Sequence, residues 1–189
     1  MAKLISADLT NNKLCILEYT TTDGQMLSFK EDAFDAKIVS HTYTDIGKII
    51  FDKPITRIGD KAFDCCSSLT SVTIPDSVTT IGKSAFWNCY SLTSVTIPDS
   101  VTKIGDDAFY RCENLTSVTI PDSVTTIGDY AFCDCKSLTS VTIPESVITI
   151  GKSAFSCCGS LKEFKGKFAA EGGRCLTIDG VLNAFALGC

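Results

Sequence analysis

The sequence predicts a repeat solenoid, because one short pattern returns along the chain at a constant spacing. The segment SVTIPDSVTTIG at 71–82 recurs almost unchanged at 94–105, 117–128 and 140–151. Aligning the glycines that end these segments gives a step of 23 residues, which lies within the range of solenoid repeats. A unit of this length cannot bury its own apolar face, so we expect the units to stack and share one core.

Four positions of the aligned units hold one residue type each, and they indicate five repeats across residues 51–166. The glycine column contains Gly59, Gly82, Gly105, Gly128 and Gly151. The phenylalanine column contains Phe63, Phe86, Phe109, Phe132 and Phe155. The cysteine column contains Cys66, Cys89, Cys112, Cys135 and Cys158. The leucine column contains Leu69, Leu92, Leu115, Leu138 and Leu161. In a solenoid, such columns become ladders of stacked core side chains.

The residue pattern within each unit predicts a short strand followed by turns, so the solenoid should be β-rich. In the segment that begins at Ser71, Val72 and Ile74 alternate with hydroxyl residues, which places the apolar pair inward. Pro75 should end the strand, because proline has no N–H to continue a hydrogen-bonded ladder. Gly82 should permit a sharp turn, and the Lys-Ser-Ala-Phe segment that follows suits one helical or 3-10 turn.

Composition indicates one soluble, ordered domain and argues against two classes of partner. The chain has 189 residues, of which 44% are hydrophobic and 21% charged. Its formal net charge of −5 argues against binding to nucleic acid or to an anionic membrane, since both require a basic surface. We expect no membrane insertion, because no run of about 18 apolar residues occurs. The start, MAKLISADLT, lacks the apolar stretch of a signal peptide.

The repeat unit resembles a known family. The pattern L-x-x-V-x-I-P followed by I-G-x-x-A-F-x-x-C is similar to the BspA-like, or Treponema-type, leucine-rich repeat over about residues 51–166. The resemblance implies a right-handed, curved leucine-rich-repeat superhelix. It also implies a cell-surface or secreted protein of a host-associated organism, in a family many of whose members are credited with adhesion. Because no signal peptide is recognised, a cytoplasmic location stays open as well.

The two ends of the chain depart from the repeat, as expected for caps that cover the terminal strand edges of a solenoid. Residues 1–50 are assigned to an N-terminal β-rich cap. Residues 167–189 are assigned to a C-terminal capping hairpin, because Asp179-Gly180 between apolar pairs is a strong hairpin signal.

The eleven cysteines do not predict a catalytic or metal site. We interpret the cysteine column as reduced, buried small side chains. Five of the six thiols outside the column are the expected sites of oxidation or dimerisation: Cys65, Cys133, Cys157, Cys175 and Cys189. No C-x-x-C occurs and His41 is the single histidine, so we expect no metal, no cofactor and no enzymatic activity.

A functional surface should lie where the copies differ, between the phenylalanine and leucine columns. Aromatic and basic residues there are types enriched at binding hot spots. The candidate partner-binding residues are Trp87, Tyr90, Tyr110, Arg111, Tyr130 and Lys136. Two interpretations remain open at this point, because these aromatic rings could form a binding patch or could cover the outer core.

These observations predict a non-enzymatic binding module that presents a rigid repeat surface to a protein or glycan partner. By resemblance to the family, the partner would belong to the host, such as a component of the extracellular matrix, and the role would be adhesion. The alternative is an intracellular scaffold or a self-assembling structural repeat protein, which the missing signal peptide and the many free thiols favour. The sequence does not determine the oligomeric state.

Overall fold

A computed structural model describes residues 15–170, 175–178 and 181–185 of the chain. In this part of the chain the secondary structure is almost entirely β, with one 3-10 helix at Glu31–Ala33. The first eight strands are β1 Cys15–Thr21, β2 Ile38–Tyr43, β3 Gly47–Phe51, β4 Arg57–Ile58, β5 Leu69–Thr73, β6 Thr80–Ile81, β7 Ser94–Thr96 and β8 Lys103–Ile104. The remaining strands are β9 Thr126–Ile127, β10 Ser140–Ile143, β11 Thr149–Ile150, β12 Glu163–Gly166, β13 Ala169–Ala170, β14 Cys175–Ile178 and β15 Val181–Phe185.

The repeats coil into a β-solenoid in which two parallel ladders run along the axis. The longer strands pair in register, with Val72 of β5 opposite Val95 of β7 and Val141 of β10 opposite Phe164 of β12. The two-residue strands β4, β6, β8, β9 and β11 form the second ladder, in one continuous sheet. Every pairing joins residues 23 positions apart, so each coil is one repeat. The prediction of a solenoid with 23-residue repeats is confirmed.

The longer ladder is interrupted in the third coil, where residues 117–119 do not form an assigned strand. The coils still touch through their backbones at this level. Thr116 donates its N–H to the carbonyl of Thr93, and Thr139 donates to Thr116, both at 3.3 Å. Inward burial follows the predicted alternation, because Val72, Ile74 and their counterparts in the other coils lie in the core, except Val95, which is partly buried against it.

The glycine column is required by close packing between coils and not by a sharp turn. Among the described glycines, only Gly24 and Gly166 have a positive φ, so the column glycines need no left-handed conformation. A Cβ added to Gly105 would lie 2.7 Å from the carbonyl carbon of Gly82. A Cβ added to Gly151 would lie 2.2 Å from the backbone nitrogen of Asp129. The backbones of neighbouring coils therefore meet where only a hydrogen fits.

The segment after each glycine is a run of tight turns, which differs from a regular helical turn. In the third coil, Asp107, Phe109 and Arg111 donate their N–H groups to carbonyls of the next coil at 2.8, 2.8 and 2.9 Å. Ala108 and Tyr110 instead donate within the coil, to carbonyls three residues earlier, at 3.3 and 3.0 Å. Alternate N–H groups thus hold the coils together, and a continuous helix cannot form because half of its hydrogen bonds are used elsewhere.

Left-handed residues make this alternation possible. Two non-glycine residues per coil have φ between 53° and 60°: Lys61, Cys65, Ser84, Asn88, Asp107, Arg111, Tyr130, Asp134, Ser153 and Cys157. Such a conformation is uncommon for residues other than glycine and asparagine, and it costs on the order of 1–2 kcal/mol per residue. The inter-coil hydrogen bonds of the same segment offset this cost.

The phenylalanine column forms an aromatic stack through the core. Ring centroids of successive members lie 5.1–5.3 Å apart with interplanar angles of 3–8°. Phe34 and Phe164 close the two ends of the stack, each with its ring tilted at 70° or more to the terminal ring. All five column rings are at most 1% exposed. The inward phenylalanine column predicted from the sequence is confirmed.

The cysteine column lies beside this stack, and its thiols are hydrogen-bonded. Four of the thiols donate to a phenylalanine carbonyl of the preceding coil, for example Cys112 to Phe86 at 3.3 Å and Cys89 to Phe63 at 3.1 Å. The first, Cys66, donates to the carbonyl of Ser28 in the N-terminal region at 3.3 Å. Burial raises the pKa of Cys66 and Cys158 to about 12 and raises the pKa of the inner members well above the usual thiol value. The column cysteines are thus buried side chains with satisfied donors.

The N-terminal strands cover the first coil. β1 pairs antiparallel with β3 on one side and with β5 on the other, while β2 pairs with β3. Tyr19 of β1 is 1% exposed, and its hydroxyl lies 2.6 Å from Nε2 of His41 on β2. This sheet continues into the longer ladder through β5 and β7, so the core of the first coil is closed on its N-terminal side.

At the other end, β13, β14 and β15 form a small antiparallel sheet. Ile178 of β14 is paired with Val181 of β15, which leaves two residues for the connection. The predicted Asp179-Gly180 turn lies outside the described residues.

Candidate functional site

Two aromatic side chains from neighbouring coils form the centre of the candidate site. The rings of Trp87 and Tyr110 stack at a centroid distance of 6.3 Å with an interplanar angle of 21°. Both rings are half-buried, in contrast to the phenylalanine stack beneath them, which is fully buried. They therefore form an aromatic surface that solvent reaches, and they are not part of the continuous core.

A cleft of about 480 Å³ opens beside this pair, and we call it the aromatic cleft. Its aromatic lining consists of Trp87, Tyr110 and Tyr130, and Ser84 and Asp107 contribute polar groups. Two exposed lysines, Lys61 and Lys83, complete the lining. The residues come from four successive coils, so the cleft extends along the solenoid axis. Exposed aromatic rings next to charged side chains are typical of surfaces that contact a partner.

The turn geometry explains why these side chains meet. Ser84, Asp107 and Tyr130 occupy one column of left-handed residues, with φ of 53–54°. Trp87 and Tyr110 occupy the column three positions later, and each donates its N–H back to the left-handed residue of its own coil, at 3.1 and 3.0 Å. This i→i+3 closure keeps the two columns close in each coil, and both contribute to the lining of the cleft.

The six predicted site residues divide into two groups. Trp87, Tyr110 and Tyr130 line the cleft together, whereas Tyr90, Arg111 and Lys136 do not. Tyr90 is 37% exposed on a separate column, and its carbonyl accepts a hydrogen bond from the Asn114 side chain at 2.8 Å.

The basic members of the second group form ion pairs with neighbouring coils. Lys136 lies 2.8 Å from the Glu113 carboxylate, and Arg111 lies 3.9 Å from Asp134. The Arg111 guanidinium also lies 6.0 Å from the centroid of the Tyr110 ring, on the edge of the cleft. Lys136 thus supports the scaffold, while Arg111 borders the site.

Sequence reasoning missed the polar lining of the cleft, namely Lys61, Lys83, Ser84 and Asp107. One signal could have found three of them, because the column that contains Tyr130 also varies between copies, with Lys61, Ser84 and Asp107 at equivalent positions. Burial raises the pKa of the Asp107 carboxyl, and neighbouring Asp106 adds to this, while the Lys83 ammonium lowers it.

The cysteines outside the column differ in access. Cys65 and Cys157 are exposed, as expected. The expectation that Cys133 is accessible to oxidation is wrong, because its side chain is 6% exposed, and burial raises its pKa to about 11. The Cys175 side chain and Cys189 lie outside what the structure describes.

In the described part of the chain, no cluster of three or more histidine, cysteine, aspartate or glutamate residues is arranged to hold a metal ion. None of the described helices is long and apolar enough to cross a membrane.

The parallel ladders with a 23-residue coil and the apolar columns define a leucine-rich-repeat solenoid. The chain belongs to the BspA type leucine-rich repeat family, whose model matches residues 36–162 in six copies. No protein with a curated description matches the chain.

Solved structures of bacterial leucine-rich repeat proteins are similar to this chain. A leucine-rich repeat protein of T. pallidum is 37% identical with a TM-score of 0.59, over 60% of this chain and 53% of its own. One from Bacteroides ovatus is 32% identical with a TM-score of 0.59, over 84% of this chain and 41% of its own. One from Eubacterium ventriosum is 30% identical with a TM-score of 0.55, over 67% and 33%. The chain thus matches from a third to about half of these relatives' length.

Proposed function

We propose that the chain is a non-enzymatic binding module that presents the aromatic cleft to a protein or glycan partner. The observation that supports this most directly is the contrast between invariant and variable positions. The columns that hold the coils together are uniform, whereas Trp87, Tyr110 and Tyr130 occupy positions where other coils have small or charged residues. The solenoid forms in those coils without an aromatic ring, so the rings are not needed to build it.

The cost of placing Tyr130 supports the same conclusion. Its φ of 54° is unfavourable for a bulky aromatic residue, and equivalent coils use Lys61, Ser84, Asp107 and Ser153 there. A half-buried tyrosine in a left-handed turn should stabilise the fold little more than serine does at the equivalent position of other coils. Recognition of a partner is the role that such a side chain performs well, because tyrosine and tryptophan supply large, rigid contact surfaces.

Family membership adds the biological setting. We propose adhesion at the cell surface or in the secreted fraction, with host extracellular-matrix components as the partners to test first. This location rests on the family resemblance. Rigid repeat scaffolds suit such a role, since their extended surfaces are held in one shape before the partner arrives.

The experiment is binding of the purified protein to a panel of extracellular-matrix proteins and glycans, compared with the double variant Trp87→Ala/Tyr110→Ala. We expect saturable binding that weakens at least about tenfold in the double variant, because hot-spot aromatics each contribute about 2 kcal/mol or more. A matched control is Ile148→Ala, which removes an apolar side chain that is 73% exposed outside the cleft.

Two results would count against the proposal. Binding that is equal in the double variant and the parent would place the site elsewhere. A collapse of the unfolding midpoint in the double variant would show that Trp87 and Tyr110 serve the core, since loss of one exposed stacked pair should cost only about 0.5–1.5 kcal/mol beyond buried area.

A further inference from the structure

The carboxylate of Asp107 differs from the acidic residues next to it in having no structural role. Asp60, Asp106 and Asp129 each accept a backbone N–H from the following coil, at 2.8, 3.1 and 2.6 Å. These three carboxylates therefore hold the coils together. In the described part of the chain, Asp107 is in none of the ion pairs, and its side chain receives no hydrogen bond.

The surroundings of this carboxylate favour a cation. Three aromatic rings, those of Trp87, Tyr110 and Tyr130, line the same cleft. The faces of such rings attract a cation through their quadrupole, and tryptophan does so most strongly. The nearby charges are Lys83, which favours the ionised form of Asp107, and the carboxylates Asp106 and Asp129, which oppose it. In the lining of the cleft itself, Asp107 is the one carboxylate and Lys61 and Lys83 carry exposed ammonium groups, so the attraction for a cation comes from the aromatic faces together with the carboxylate that has no hydrogen bond.

Arginine is the cation whose chemistry best suits an aromatic surface with a carboxylate beside it. The guanidinium of Arg111 already lies 6.0 Å from the centroid of the Tyr110 ring at the border of the cleft. Arginine is planar and can stack on an aromatic ring while it forms two parallel hydrogen bonds to a carboxylate. A lysine ammonium is more strongly hydrated and gives up more on entering such a site.

We propose that the aromatic cleft binds an arginine side chain of a protein partner, with the guanidinium stacked against Trp87 and Tyr110 and paired with Asp107. This inference rests on the proposed function and specifies its ligand. It predicts that recognition depends on the positive charge of the ligand, which a neutral glycan lacks. Lys61 and Lys83 carry exposed side chains, so their ammonium groups can move away from an entering cation.

The test uses the fluorescence of Trp87, which is the single tryptophan of the chain and reports the cleft directly. The probe is the peptide acetyl-Gly-Arg-Gly-amide, and its control is the same peptide with citrulline, which keeps the shape of arginine and removes the charge. We expect a saturable change with the arginine peptide and a response at least about tenfold weaker with citrulline, because hydrogen bonds to charged groups are the stronger class.

Two variants complete the design. Asp107→Asn should weaken the arginine response by about tenfold or more, whereas Asp122→Asn, which changes an exposed carboxylate outside the cleft, should not alter it. Thermal unfolding of Asp107→Asn should match the parent, since Asp107 holds no neighbouring coil through its side chain. A large loss of stability in this variant would contradict that assignment.

Other outcomes overturn the inference. Equal responses to arginine and citrulline, no response to either, or an unchanged response in Asp107→Asn would each do so. Saturation of the Trp87 signal by a neutral oligosaccharide such as maltohexaose, without a response to arginine, would also overturn it. In that last case the proposed binding function stands and its ligand is a glycan.

Discussion

The thiol of Cys112 donates a hydrogen bond of 3.3 Å to the carbonyl oxygen of Phe86 in the preceding coil. This contact joins the cysteine and phenylalanine columns into one network, and it repeats in the neighbouring coils. The thiol is therefore both a small buried side chain and a link between coils.

The first prediction concerns thiol reactivity. The exposed Cys65 and Cys157 should react with iodoacetamide in the native protein well before the column cysteines, because burial keeps the latter protonated and inaccessible. Mass-spectrometric mapping over time would give the order. The control is the protein in guanidinium chloride, where the difference should disappear. Early labelling of Cys112 in the native protein would disprove the assigned burial.

The second prediction concerns the aromatic stack. Phe109 lies in its middle and is fully buried, so Phe109→Ala should lower the free energy of unfolding by about 3–5 kcal/mol. Phe109→Leu should cost less, because it leaves a smaller cavity. Urea denaturation measures both. A midpoint that stays the same in Phe109→Ala would contradict the inward stack.

The third prediction separates two roles of glycine. Gly105→Ala should destabilise the protein by about 1–3 kcal/mol or more, because its Cβ would meet the backbone of Gly82 at 2.7 Å and overpacking is costly. Gly159→Ala is the matched control, since nothing lies within 4 Å of the added atom. We expect this control to be neutral or slightly stabilising. Equal effects of the two substitutions in thermal unfolding would show that contact between coils is not the reason for the glycine column.

The fourth prediction concerns pH. The Tyr19 hydroxyl accepts the N–H of Leu27 at 3.2 Å, so its own proton is free to be donated to Nε2 of His41 at 2.6 Å. Burial lowers the pKa of His41 from 6.5, and the Glu31 carboxylate partly opposes this. The folded state therefore binds the proton less well than the unfolded state does.

The sign of the effect follows from that difference. Stability should be unaffected by His41 above about pH 6.5 and should fall as the pH drops through the range between the unfolded and the folded pKa. Melting temperatures between pH 8 and pH 5 would show the loss, and His41→Gln should flatten the profile in that range. A profile in His41→Gln identical to that of the parent would assign the pH dependence to other groups.

The scaffold could be predicted from the sequence because each structural role is repeated. Phenylalanine and cysteine each recur at five equivalent positions, those of Phe109 and Cys112 among them. Five recurrences at a constant spacing indicate an inward column, whereas a single residue would not. The reason for the glycine column could not be predicted, since close approach between coils and a positive φ both select glycine. The structure decides between the two by placing the left-handed residues elsewhere, for instance at Ser84.

The composition of the aromatic cleft could be predicted only in part. Trp87 and Tyr110 are recognisable from the sequence, because they are aromatic residues at equivalent positions of neighbouring units, between the phenylalanine and leucine columns, where the copies differ. The place of Asp107 in the cleft could not be predicted, because it depends on a left-handed backbone conformation at Asp107. Glycine or asparagine is the usual sequence signal for that conformation, and here the residue is aspartate. Tyr90 was predicted to belong to the site because it is close in sequence to Trp87, but it does not line the cleft.

The constant register of the ladders also bears on how such a protein can change length over evolutionary time. Ile81 pairs with Ile104, and Ile104 pairs with Ile127, in the same parallel register. Excision of residues 105–127 would therefore bring two equivalent coil faces together. The shortened rod would keep its core and lose Asp107 and Tyr110 at once. Recombination between near-identical gene segments can therefore remove the proposed recognition site in one step, while the architecture that carried it persists.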